Sequence, residues 1–303
     1  MDSVVLLSGG TGGAKLARGL VDACDALTVV ANTGDDVDVY GVHVSPDPDL
    51  VTYWLADEID ERGWGLRGDT WHVMEAFERA GQPHWFRLGD RDLAMCLLRT
   101  ERLRAGRRLT EAHAAVVDAM GVRARVLPMS DEPVSTWVGV RGRKLPFQEF
   151  MIVEEAKGPV EAVELRGLHR APPSDDVLQA VAEATAIVIG PSNPVISIEP
   201  ILALPGMREA LRGAPAPIVA VSPFVDGRAV KGPTEPFCEH ARIAPSASGI
   251  ADTYSGLIDG IVADESVTGL PGLVTRTLMS TPEDRARLAR QVLDFSTLLS
   301  PTR

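Results

Sequence analysis

Apolar and polar positions along this chain fall into blocks that predict strands and helices in turn. Val4-Val5-Leu6-Leu7 is an unbroken apolar run, and the segment after it sets Leu16, Leu20 and Val21 on one helical face. A second short apolar run covers residues 27–31, and a helix opening at Pro46 carries Leu50, Tyr53, Trp54 and Leu55. Residues 65–69 read as a loop. Thr70 to Arg79 reads as a helix with Trp71, Met74 and Phe77 facing the core. Residues 93–120 are helical by periodicity, with a break near Gly106 and a second start at Thr110. Residues 124–168 change character: Thr136–Val140 and Phe150–Val153 read as strands, punctuated by Pro133, Pro146 and Pro159. A helix from Asp175 to Ala184 then leads to buried-type strands at 186–189, 217–221 and 261–263, and Pro282 to Leu299 reads as a terminal amphipathic helix.

Strands with apolar runs on both faces, alternating with helices, predict a parallel sheet covered on both sides. The expected fold is α/β, a Rossmann-like, doubly wound, mainly parallel sheet. It forms a single domain over residues 1–303, with a small β-rich α/β insertion at 124–168.

The loops at the strand ends carry the chemistry. Ser8-Gly9-Gly10-Thr11-Gly12-Gly13-Ala14-Lys15 links the first strand to the first helix. Bare glycine amides and a helix N-terminus make a cradle for an anion, so Gly10, Thr11, Gly12 and Gly13 are read as phosphate-binding. The run is not a Walker A loop, and Lys15 stands where a dinucleotide fingerprint needs Gly or Ala. A ligand-free strand-to-helix turn is the bland alternative. Asn32-Thr33-Gly34-Asp35-Asp36 ends the second strand, where open α/β sheets bind ligands. The two aspartates are either solvated loop charge or contacts to a ribose, a metal or a substrate hydroxyl.

Asp47 and Asp49 follow in Pro46-Asp47-Pro48-Asp49. One acid in a first helical turn is ordinary, but two more beside Asp35 and Asp36 call for a neutralising cation, and Mg²⁺ beside a phosphate cradle is the economical choice. Trp85-Phe86-Arg87-Leu88-Gly89-Asp90-Arg91-Asp92 mixes aromatics, arginines and acids. Asp90 suits a helix cap; Arg87 and Arg91 suit either internal pairing with Asp or recognition of a phosphate or an acid. Gly190-Pro191-Ser192-Asn193-Pro194 and Ala229-Val230-Lys231-Gly232-Pro233 are further ligand-type loops.

Composition narrows the class. The chain has 303 residues, 45% of them apolar, and a net charge of −12, which disfavours nucleic acid as the main partner. Arg102 to Arg108 is the densest basic stretch and reads as a solvated helix end or as one wall of an anionic site. The three cysteines have no metal or disulfide spacing, which suits a reducing compartment. Met1-Asp2 leads straight into a strand and no run of eighteen apolar residues exists, so a cytoplasmic, non-membrane protein is expected. None of the six histidines has ligand spacing, and Gly-x-Ser-x-Gly is absent, so no hydrolase triad is expected.

The glycine loop, Asn32–Asp36, Ser45–Asp49, Trp85–Asp92, Gly190–Pro194 and Val230–Pro233, in that order, resemble the 2-phospho-L-lactate transferase family of deazaflavin coenzyme F420 biosynthesis (CofD, called FbiA in actinobacteria). The resemblance runs from residue 3 to about 265. It implies an Mg²⁺-dependent transferase. The hydroxyl ending the ribityl chain of the deazaflavin Fo attacks a guanosine diphosphate ester, and GMP leaves. On this reading Lys15 or Lys231 holds phosphates, and Asp47 and Asp49 bind the metal or take the hydroxyl proton. Arg87 touches Fo or the transferred group, Ser192 and Asn193 line the guanosine side, and Trp54 and Trp85 either stack on a ring or pack the core. The segment Thr234 to His240 is similar to the actinobacterial form, which implies the enolpyruvyl donor; the family also implies a homodimer. Two other readings stay open: a non-enzymatic regulator binding UDP-sugars with a similar glycine loop, and an NAD(P)-linked oxidoreductase.

Overall fold

The structure is a computed structural model that describes residues 2–230 and 232–301. Its centre is a seven-stranded sheet in which every neighbouring pair is parallel. The strands are β1 (Ser3–Ser8), β2 (Ala26–Ala31), β3 (Arg125–Pro128), β4 (Ala186–Ile189), β5 (Ile218–Val221), β6 (Gly260–Ala263) and β7 (Gly272–Val274). Their spatial order is β7-β6-β5-β4-β1-β2-β3. The chain therefore winds outward from β1 through β2 and β3, returns, and winds the other way through β4 to β7. The reversal leaves a crevice above the carboxyl ends of β1 and β4, where a doubly wound sheet gathers its ligand.

Both faces of the sheet are buried, which is why its strands read as unbroken apolar runs. Val5, Leu7, Val30, Ile187 and Ile189 pack into one core cluster; Val4, Leu6, Val29, Val188 and Val219 pack into the other. Helix α1 (Gly10–Leu20) lies on the second face beside α2 (Pro46–Leu55) and the terminal helix Pro282–Ser296. That helix starts at a reciprocal cap between Thr281 and Asp284.

Several expectations for local structure need correction. Residues 125–128 are an edge strand of the main sheet, paired with β2, so the small antiparallel sheet consists of Ser135–Val140 flanked by Arg143–Pro146 and Ala162–Arg166. Phe150–Val153 is not a strand: Glu149–Val153 forms one wide helical turn in which Glu154 N donates to Glu149 O. Its aromatic residue is a packing element, Phe150 wedged against Phe237, whereas Ile152 and Val153 are exposed. The helix expected from Thr70 starts at His72, and β7 was not foreseen because three residues of mixed exposure leave no periodic trace.

The glycine loop owes part of its composition to packing. A Cβ on Gly12 would fall on the Pro191 carbonyl, and one on Gly13 would fall on the Ser8 hydroxyl. Gly10 differs: its φ of +63° is left-handed, and nothing crowds it. Gly10→Ala should therefore cost about 1 kcal/mol of backbone strain, whereas Gly12→Ala must push two backbones apart and should cost roughly 3 kcal/mol or more. Thermal melts of the two variants check this; an equal loss would overturn the packing role of Gly12.

Candidate active site

A cavity of about 680 Å³ opens over the strand ends. Gly9, Gly10, Thr11 and Gly12 enter it from the end of β1, Asp35 from β2, Pro191 to Asn193 from β4, Ser222 and Pro223 from β5, and Thr277 to Met279 from β7. Residues Phe147, Gln148, Met151 and Ile152, beside the small sheet, form another wall, and Thr234 closes in from the helix Thr234–Ala241. Five strands of the sheet thus deliver side chains to one space.

Its floor is a pair of buried carboxylates. Asp47, in the first turn of α2, accepts a 2.6 Å bond from the Gly10 amide at the head of α1. That places a negative charge where the α1 dipole favours one, and Gly9 permits it, since a Cβ there would lie 2.8 Å from Asp47 Oδ2. Asn32, fully buried, donates through Nδ2 to Asp47 Oδ2 at 3.0 Å and to Asp35 Oδ1 at 3.1 Å. Gln148 donates to the Asp35 carbonyl at 3.1 Å. Burial, with the charge of Asp47 second, holds the Asp35 carboxyl well above the usual range, and burial pushes Asp47 up to about 6. Two acids sharing one amide group lack a counter-charge.

Their neighbours solve the same problem internally. Asp36 takes the Ser45 hydroxyl at 2.8 Å and a ring nitrogen of His43 at 3.1 Å. Asp49 is gripped by both terminal nitrogens of Arg99, at 2.6 and 2.8 Å, and Arg99 is wholly buried. Arg99 also donates to the His43 carbonyl. Behind it, His113 meets Arg99 through Nδ1 and the Thr52 hydroxyl through Nε2, so Nε2 carries its proton. Burial drives the His113 pKa down to about 4. Asp49, Asp92 and Cys96 form a compact group of potential metal ligands, their atoms within 4.8 Å of one another. There the Arg99 guanidinium already neutralises Asp49, and Tyr53 donates to Asp92 at 2.7 Å.

The expected site residues therefore separate. Gly10, Thr11, Gly12, Lys15, Asp35, Asp47, Ser192 and Asn193 line the cavity. Asn32 and Gly13 lie buried just beneath it, and Asp36 is one step further back. Asp49 faces Arg99 rather than the cavity. Asp90 accepts from Thr70, His72 and Val73, fixing the start of the helix His72–Arg79. Arg91 donates to Arg67 O and Glu58. Arg87 lies over the Trp71 ring at 5.2 Å. None of these last three is among the residues lining the cavity, and the contacts of the Arg87 and Arg91 side chains are with Trp71, the Arg67 carbonyl and Glu58 rather than with Asp. Lys231 lies outside the described residues.

Lys15 bonds the Met279 carbonyl at 3.0 Å and lies 5.7 Å from the centre of the Trp54 ring, whose neighbour is Arg285. Trp54 and Trp85 pack internally, the latter against Phe86. Sequence reasoning missed Arg99, His43, Gln148, Trp64 and Thr277, because each comes from a segment with no motif of its own.

A family model described as 2-phospho-L-lactate transferase CofD matches residues 4–277. A phosphoenolpyruvate transferase from Streptomyces coelicolor is 40% identical, the match covering 97% of this chain and 98% of that protein. A 2-phospho-L-lactate transferase from Methanosarcina mazei is 39% identical over 86% of this chain and 87% of its own. Among solved structures, a member of the UPF0052 family from Bacillus halodurans superposes with a TM-score of 0.64 over 96% of this chain and 98% of its own, at 18% identity. That likeness is one of fold.

Two predictions follow from the buried network. Asp49→Asn halves the pairing of a buried guanidinium, so it should cost about 3–5 kcal/mol and lower the melting temperature on the order of 10 °C. An unchanged melt would deny the pair its structural role. For His113, the folded pKa of about 4 lies below the ordinary 6.5. Its contribution is therefore intact above pH 6.5, declines as pH falls towards 4, and totals about 3 kcal/mol. His113→Gln should lose stability less steeply than the native protein between pH 7 and 4.5; parallel curves would count against it.

Proposed function

The chain belongs to the CofD family of 2-phospho-L-lactate transferases of coenzyme F420 biosynthesis, and on that premise we propose that it transfers a phosphoenolpyruvyl group from a guanosine diphosphate ester to the ribityl hydroxyl of the deazaflavin Fo, releasing GMP. The observation that carries this reading is the convergence of the glycine loop, the Asp35–Asp47 pair and the Ser192–Asn193 loop on one cavity. The enolpyruvyl donor is favoured over the lactyl one by the segment Thr234 to His240, whose Thr234 lines the same cavity.

Each part then has a task. The first turn of α1, with Thr11 and Gly12 on the cavity wall, receives the diphosphate through backbone amides and the helix dipole. Ser192 and Asn193 lie on the guanosine side. Asn193 is set for this: its Oδ1 is fixed by the Val195 and Ile196 amides, while its Nδ2 has no partner. Asp35 and Asp47 fit a hard divalent cation, because they offer carboxylate oxygens beside the phosphate cradle, where burial raises both and the charge of Asp47 raises Asp35 further. The metal role thus moves from Asp47 and Asp49 to Asp47 and Asp35. Bound there, Mg²⁺ would neutralise charge on the transferring phosphate.

The reaction forms a bond from the ribityl oxygen to the phosphorus that bears the enolpyruvyl group. It breaks that phosphorus's bond to the bridging oxygen, which departs with GMP. The hydroxyl proton goes to a carboxylate of the Asp35–Asp47 pair, which lies within the same cavity. Arrangement and charge placement carry such a transfer more than covalent help does.

Incubating the protein with Fo, either donor ester and Mg²⁺ should yield the coupled product and GMP by mass spectrometry, with the enolpyruvyl ester preferred. Asp35→Asn and Asp47→Asn should each lower kcat by about a hundredfold or more. At pH 8 Asp35→Asn should not lower the metal-free melting temperature, since it removes a buried repulsion and keeps an oxygen for Asn32. Undiminished turnover in both variants, or no product from either ester, would refute the proposal.

A further inference from the structure

The cavity holds a tryptophan that the reaction just described does not use. Trp64 lines it and stays 47% exposed. It sits at the tip of a short hairpin-like loop, between Gly63 and Gly65, both in left-handed backbone at φ +83° and +69°. The base of the loop is closed by the bridge between Ile59 and Leu66 and by Arg67 N donating to Glu58 O at 2.7 Å. An indole carried out to a cavity rim on so constrained a loop has its water-facing surface held for something apolar.

The indole is braced from behind. Arg62 lies over the Trp64 ring, 4.2 Å from its centre, and 5.5 Å from the centre of Trp71. Its guanidinium is fixed by Asp60 at 2.5 Å. The two indoles meet edge-on at 6.4 Å, and Arg87 covers Trp71 at 5.2 Å. Two cations and two rings therefore form a ladder running from Arg87 to the cavity wall. With Arg62 on one face of Trp64, the other remains for a ligand.

Resting on the transferase reading, we propose that Trp64 is the platform on which the flat tricyclic ring of the acceptor stacks, and that Arg62, Trp71 and Arg87 are positioning residues that hold it in place. The acceptor suits this surface better than the donor's nucleobase. A base carries its identity on polar edges, and a bare ring face cannot read them. Polar groups without partners lie elsewhere in the cavity, at Asn193 Nδ2 and at Thr277 Oγ1, the latter 96% buried on a loop pinned by Arg287 and Lys15. Arg87 thereby acts on the acceptor through Trp71 rather than by touching it.

The test uses the full chain and the emission of the deazaflavin itself. Stacking on an indole should quench that emission on binding to the native protein. Trp64→Leu should bind deazaflavin about tenfold more weakly and without quenching, while its affinity for GDP by calorimetry stays within about twofold. In turnover with Mg²⁺, Trp64→Leu should raise the acceptor KM about tenfold with little change in kcat. Arg87→Leu and Arg62→Leu should raise the acceptor KM by a smaller factor, about threefold, again sparing kcat. Native affinity and native quenching in Trp64→Leu would overturn the platform. A loss of GDP affinity with deazaflavin binding intact would overturn the choice of ring. If the native protein binds neither GDP nor deazaflavin, the transferase reading itself fails, a result visible before any variant is made.

Discussion

Burying negative charge is the constraint on which this molecule turns. Asp35, Asp36, Asp47 and Asp49 lie within fifteen residues of one another, and all but Asp36 are among its most buried polar residues. A carboxylate removed from water must be paired, hydrogen-bonded or protonated. Arg99 answers for Asp49, and Ser45 with His43 answers for Asp36. Asp35 and Asp47 are left with amide donors alone. A fold able to enclose a whole arginine for one aspartate does not leave two others short for want of means; the shortfall falls where the cavity opens. The two answered acids hold the loops still, and the two unanswered ones face the space where a phosphate and a cation would arrive.

The same cavity explains the backbone around it. Gly12 lets the head of α1 press against Pro191, and Gly13 lets it press on Ser8 and Ser192. This contact brings the β1 and β4 loops together, so the ligand crevice and the tightest packing in the loop are one feature seen from two sides. Gly9 does likewise for Asp47. A glycine loop whose composition suits phosphate binding is here a loop required for close approach, and the two demands cannot be separated by composition alone.

This is also where legibility in the sequence stops. The parallel sheet was readable because strands buried on both faces become unbroken apolar runs, as at Val4–Leu7 and 186–189. The cavity loops were readable because they sit at the ends of those strands. Pairing was not. Asp47 and Asp49 look alike two residues apart, but an α-helical step of two turns them about 200° away from each other, so one meets the Gly10 amide and the other meets Arg99. Arg99 lies fifty residues downstream in an ordinary helical repeat, and nothing local marks it as the partner. Arg87 and Asp90 were conspicuous for the opposite reason: a dense motif drew attention to residues whose contacts are with the loop next door.

The loop around Trp64 shows what this separation achieves. Gly63 and Trp64 belong to no motif, yet they reach the cavity, with Arg62 behind the indole, while the motif at 85–92 supplies Arg87 and the brace beneath. Phosphate chemistry demands fixed amides and charges, and these come from strand ends and helix heads, the most rigid parts of an α/β sheet. A large flat acceptor demands area and entry, which a braced loop on the rim provides without disturbing the floor. The division between a rigid polar floor and an aromatic rim follows from the two kinds of recognition, and under the proposed function it would place the reacting hydroxyl where the tricycle ends and the diphosphate begins.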